Sequence, residues 1–175
     1  MKRVVICLGS IVFGLVLLGA TAMPAEAAKG PVTATYRERV VGTIVSTSQN
    51  FTSSAGRMNG SPIHRGTTSG LQSAASTPPP CTAGSSQASG TTTIVAANGD
   101  NLYTSFTGRV CESQSTSNSG TYTLTGTFTI TGGTGKFAGA TGGGTTNSTL
   151  TLYATPQGSQ GPFVSHSLGT ITLAG

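Results

Sequence analysis

The chain has no tryptophan, 6% aromatic residues, 7% charged residues, four acidic side chains and two histidines. These shortages remove several classes of function. Acid–base catalysis needs groups within hydrogen-bond reach of one reacting proton. The side chains able to supply it, His64, His166, Tyr36, Tyr103, Tyr122, Tyr153, Arg109 and Glu112, are dispersed and form no signature. Neither histidine sits at a zinc-like spacing from a cysteine, and no Lys-Ser or Lys-Thr follows a glycine run as a phosphate loop requires. No metal or other cofactor is implied. Cations are scattered and not interleaved with aromatics, so there is no stacking platform or basic stripe for nucleic acid. No segment shows helical spacing with caps, and no repeat of about 20 to 50 residues recurs.

The apolar residues that are present concentrate first at the N-terminus. Lys2 and Arg3 precede an apolar run from Val4 to Ala20, and Ala25-Glu26-Ala27 offers small residues where a signal peptidase reads. The run falls short of the ~18 to 20 residues that span a bilayer. The expectation is a signal peptide over 1–27, cleaved after Ala27, and an exported single domain over 28–175 with no stable membrane insertion; a retained anchor is the alternative. Cys7 leaves with the peptide. Cys81 and Cys111 remain in an oxidising compartment, where a disulfide between them is expected. Beyond residue 27, seven cations against three acids leave a net charge of +4. Weak attraction to acidic surfaces such as cell-wall polymers follows.

Threonine and glycine dominate the rest. From Thr121 to Thr131 every odd position is Thr, while the even positions read Tyr122, Leu124, Gly126, Phe128, Ile130. Successive strand side chains point to opposite faces, so this strand has one apolar and one hydroxyl face. Gly132-Gly133-Thr134-Gly135 then reverses the chain, and Lys136-Phe137-Ala138 begins a return strand. Strands are expected at 33–45, 63–68, 91–97, 102–110, 121–131, 136–141, 145–153 and 168–173. Asn98-Gly99 marks a hairpin, with Asp100 as a carboxylate accepting backbone N–H bonds in the turn. The Ser/Thr/Pro-rich segment 69–92, with Pro78-Pro79-Pro80 before Cys81, reads as a long loop pinned by the disulfide. Eight short strands with glycine-rich turns argue for a closed antiparallel barrel or a sandwich, and closure removes exposed edges.

The segment GGTGKFAGATG, from Gly132 to Gly142, resembles the GGTG-(K/R)-F-x-x-A-x-G motif of plant dirigent proteins and of bacterial secreted proteins in the allene oxide cyclase-like superfamily. AANGDNLYTSFTG, from Ala96 to Gly108, and the terminal GTITL are secondary matches. The resemblance implies an eight-stranded antiparallel β-barrel in which Gly132, Gly133, Gly135 and Gly142 shape the turns. It carries no catalytic residue. In LYTSFTGRVC the apolar set belongs inside and leaves Arg109 solvated, whereas the reversed register would put Tyr103 and Arg109 in the cavity to hold an acidic ligand. With Tyr122, these are the cavity candidates.

Three functions are expected of such a chain. The first is non-catalytic binding of a small apolar ligand or a cell-envelope polymer, the mouth of a small barrel being a preferred pocket. The second is a cyclase or isomerase, or a dirigent-like guide of coupling, that acts by positioning its substrate in the cavity. The third is surface binding to glycan, cell wall or ice through the outward row Thr121, Thr123, Thr125, Thr127 and Thr129. Oligomeric state is not legible.

Overall fold

The computed structural model describes residues 30–48, 51–77, 81 and 85–175. The expected signal peptide and its cleavage site lie outside them. Eight strands follow in order: β1 Val32–Ser48, β2 Phe51–Ser61, β3 His64–Thr77, β4 Ser85–Ala96, β5 Asn101–Ser115, β6 Ser119–Gly133, β7 Thr141–Thr155 and β8 Gly158–Leu173. Each pairs antiparallel with its sequence neighbours, and β8 pairs with β1 along Val32↔Leu173 to Ser46↔Ser159, closing the sheet into a ring. A short 3-10 turn, Gly135–Phe137, is the remaining helical element among the described residues.

Alternation sets the inside of the ring. On β1 the odd positions Arg37, Arg39, Val41 and Thr43 are exposed, while Tyr36, Val40 and Ile44 are buried. The pairing registers propagate even positions inward through β7. The Thr155↔Gly158 hairpin then switches the inward set to odd positions on β8, where Phe163 and Ile171 are buried.

Three expectations about individual segments change. Phe51–Ser61 forms β2, although its composition (FTSSAGRMNGS) is poor in strand formers. Most of the expected loop at 69–92 is strand, the end of β3 and the start of β4. The expected return strand 136–141 is instead a 3-10 turn and a second turn up to the start of β7 at Thr141, because Gly135 (φ 54°) and Gly139 (φ 69°) coil the chain and seat Phe137 in the core. Tertiary pairing explains the first two: sheet propensity is context-dependent, and strands flanked on both sides by ladder partners satisfy their backbone groups whatever their side chains.

The two ends of the ring differ. At one end Tyr36, Ile63, Ile94, Ala96, Leu102, Ile130, Phe137, Ala140 and Ile171 fill the interior as an apolar plug. The two turn motifs close over it. Asp100 Oδ2 accepts the Lys136 N–H at 3.2 Å and the Asn98 Nδ2–H at 2.6 Å, and Asn101 N–H donates to Thr134 Oγ1 at 2.9 Å. Asp100 therefore serves as a turn carboxylate. At the opposite end Cys81 is bonded to Cys111, with Cα atoms 5.7 Å apart, tying the β3–β4 connection to β5.

Glycine at inward positions lets the wall bend. Gly42↔Gly56, Gly108↔Gly126 and Gly144↔Gly169 are directly paired across neighbouring strands. A Cβ on Gly42 or on Gly126 would lie 2.6 Å from the Cα of its partner glycine, closer than real Cβ contacts. Such pairs mark where a closed sheet turns a corner.

Candidate functional site

Below the apolar plug the ring holds a partly open cavity of about 80 Å³. One part of its lining is apolar: Val40, Ile44, Phe106, Leu124, Phe128, Leu150 and Phe163. The other is hydroxyl- and amide-bearing: Ser54, Thr68, Gln72, Thr92, Thr104, Thr146, Ser148, Ser165 and Ser167, with the single carboxyl of Glu38. The polar side chains come from the inward phase of seven strands, so each is placed by the same alternation that buries the core.

Hydrogen bonds connect some of these polar groups into one run along β7, β8 and β1. Ser148 donates to Ser165 at 2.8 Å, Ser165 and Thr146 share a bond at 3.3 Å, and the Ser167 and Thr146 hydroxyls lie 3.2 Å apart. The Tyr36 hydroxyl, on a residue with 0% exposure, donates to Glu38 Oε2 at 2.7 Å. Ser167 also hydrogen-bonds Glu38. Glu38 thus ends a hydroxyl chain that runs through the cavity wall.

Burial pushes the Glu38 carboxyl above the ordinary glutamate range, and the bonds from Tyr36 and Ser167 oppose this without cancelling it. Burial, then the neighbouring Glu38 charge, holds the Tyr36 phenol far above its ordinary value. The sign of the stability effect follows by linkage. Between the unfolded and the raised folded value the native state binds more protons, so stability falls as pH rises through that window. Glu38→Gln should remove this slope. Urea unfolding from pH 4 to pH 8 should show the variant gaining on the parent as pH rises; parallel curves would exclude a raised Glu38.

The cavity candidates named from sequence are separated. Tyr103, 38% exposed, and Arg109 point outward, because the even set of β5 faces in. Tyr122 does face inward and packs against the core, opposite Glu112 and Leu150, without lining the cavity. His64, His166 and Tyr153 are exposed. Gly132, Gly135 and Gly142 have φ of 132°, 54° and 143° and serve the turn and the start of β7, and Gly133 lies where a Cβ would meet Phe137. In the β6 row Thr125, Thr127 and Thr129 are exposed, and Thr121 and Thr123 are half-buried. Among the described residues no three His, Cys, Asp or Glu side chains gather as metal ligands would.

Sequence reasoning missed Glu38 and its hydroxyl neighbours. The signal was present: Glu38 is in phase with Ala34, Tyr36, Val40 and Ile44, a lone carboxylate on the apolar face of β1. No protein-family model matches the chain, and no curated protein matches it.

Proposed function

We propose that this is an exported binding protein whose interior takes a small neutral molecule with an apolar body and one hydroxyl or carbonyl group. The observation that carries this reading is the two-sided lining of the cavity, with Phe106, Leu124, Phe128 and Phe163 in one part and Glu38, Thr146, Ser165 and Ser167 in the other. Small-molecule sites combine apolar walls with a few placed polar groups in this way. A carboxyl with a raised pKa donates a hydrogen bond when protonated and disfavours an anionic guest when ionised. The apolar run before Ala27 and the Cys81–Cys111 bond support export.

The volume restricts the guest. An apolar cavity that admits benzene measures ~150 Å³, so about 80 Å³ suits a smaller molecule. At the ceiling of about 1.5 kcal/mol per non-hydrogen atom, a five-atom guest binds no tighter than the micromolar range. Titration of the ¹⁵N-labelled protein with 2-butanol to millimolar levels should shift the Thr146, Ser165 and Ser167 amides saturably. Butyrate, of similar size but anionic, should leave them unmoved at pH 7. Equal response to both, or none to 2-butanol, would remove the reading.

A second reading, the positioning cyclase or coupling guide implied by the resemblance of GGTGKFAGATG, is favoured by one feature: polar groups converge on Glu38 within an otherwise apolar interior. Turnover of a bound guest, lost in Glu38→Gln, would distinguish it from simple binding.

A further inference from the structure

The interior has a second polar wall, which faces the one that ends at Glu38. Thr68 of β3, Thr92 of β4 and Thr104 of β5 line the same cavity as Glu38, Thr146 and Ser167. In a closed ring of eight strands the strand four places away stands opposite, so β3, β4 and β5 face β7, β8 and β1 in turn. On one side Leu124 and Phe128 of β6 lie between the two walls.

The walls differ in how their hydroxyls are satisfied. On the first, Thr146, Ser148, Ser165 and Ser167 are bonded to one another or to Glu38. On the second, Thr68 and Thr104 are only 7% and 8% exposed, and among the described residues neither side-chain hydroxyl has a hydrogen-bond partner. Buried polar groups are paired as a rule, because leaving one unpaired costs its lost hydration. For a group in a cavity wall, a partner arrives through the cavity. Space beside these threonines is kept clear by Gly70. Ser54↔Gly70, Gly70↔Thr92 and Thr92↔Thr104 are direct partners across four strands, and a Cβ on Gly70 would lie 3.1 Å from both Ser54 Oγ and Thr92 Oγ1. Two hydroxyls thus converge over a position that has no side chain.

We propose that the guest of this cavity is bifunctional, a small diol or hydroxycarbonyl compound whose first oxygen meets the Glu38 wall and whose second is held by Thr68, Thr92 and Thr104. This rests on the reading of the interior as a site for a neutral guest, and it narrows the class of that guest. A threonine hydroxyl both donates and accepts, so the second wall suits a hydroxyl or a carbonyl alike. The cavity lining holds no Lys, Arg or His. It therefore offers the second oxygen hydrogen bonds without a counter-ion, and a carboxylate or phosphate at that end would be buried unpaired.

The test compares 1,3-propanediol with 1-butanol, which match in non-hydrogen atoms and differ by a hydroxyl in place of a methyl group. Binding is followed by amide shifts of the ¹⁵N-labelled protein. A purely apolar end would prefer the methyl group, since a hydroxyl buried without a partner is unfavourable. Here the diol should bind about fivefold tighter, the worth of one hydrogen bond, and should shift the Thr68 and Thr104 amides together with those of Thr146 and Ser167. Thr104→Val keeps the side-chain shape without the hydroxyl; it should cost the diol about fivefold and leave 1-butanol within about twofold, and Thr68→Val should act likewise. Lost folding would weaken both guests alike, so their ratio reports the hydroxyl. Thr127→Val, on the exposed face of β6, should change neither. Binding of 1-butanol as tight as that of the diol, or an unchanged ratio in the two inward valine variants, would overturn the bifunctional guest and leave the simpler neutral-guest reading standing. Failure of both alcohols to bind would remove that reading and this one with it.

Discussion

Gly126→Val should destabilise the ring by at least about 3 kcal/mol, a large share of the ~5 to 15 kcal/mol that holds a typical domain together. A side chain at this inward position meets backbone on the neighbouring strand: the Thr107 carbonyl oxygen, and the Gly108 Cα at 2.6 Å. Neither is a flexible end that can swing aside. The strands must separate or shift register, and a shift by one residue would turn the polar face of β6 inward. Gly30→Val is the matched control, since nothing lies within 4 Å of a Cβ there. Urea unfolding should separate the two sharply, and equal midpoints would show that the Gly108↔Gly126 corner is not required.

Cys111→Ser acts on the other side of the folding equilibrium. The bond joins residues 30 positions apart, and releasing a loop of that size restores roughly 3 to 4 kcal/mol of freedom to the unfolded chain. For a domain of this length the melting temperature should fall by about 10 °C. The ring itself should persist, because β3–β4 and β4–β5 pairing extends well beyond the bond. Circular dichroism should therefore keep its strand signal at 20 °C while the melting curve moves. An unchanged melting temperature would mean that the loop is already held by other contacts.

These two substitutions also mark the limits of what the sequence discloses. The disulfide was legible from two cysteines and the expectation of export, and β6 from its unbroken Thr alternation. The apolar phase of β5 was legible too, and with it the outward placement of Arg109. The inward glycines were not, because Gly42, Gly56, Gly108 and Gly126 read as breaks until a register sets them in pairs across strands. The segment Ser85–Thr92, polar and small, reads as loop for the same reason. Its strand state comes from β3 and β5 on either side, and pairing of that range is non-local. The cavity followed the same rule: Glu38 could be found from its phase on β1, but Ser167, which bonds it, and Thr146 and Ser165, which line the cavity with it, come from two strands more than 100 residues away. The candidate site is thus a product of ring closure by β1 and β8, and no local motif announces it.

The central claim is that Glu38 sits inside the closed wall, with a raised pKa, in contact with a neutral guest. Its most direct test is the pH titration of the Glu38 carboxyl ¹³C resonance, without and with 2-butanol. The account predicts a midpoint above the ordinary glutamate value of about 4.3 that moves further up when the alcohol occupies the cavity and displaces water from the carboxyl. An ordinary midpoint that does not respond to the alcohol would contradict it.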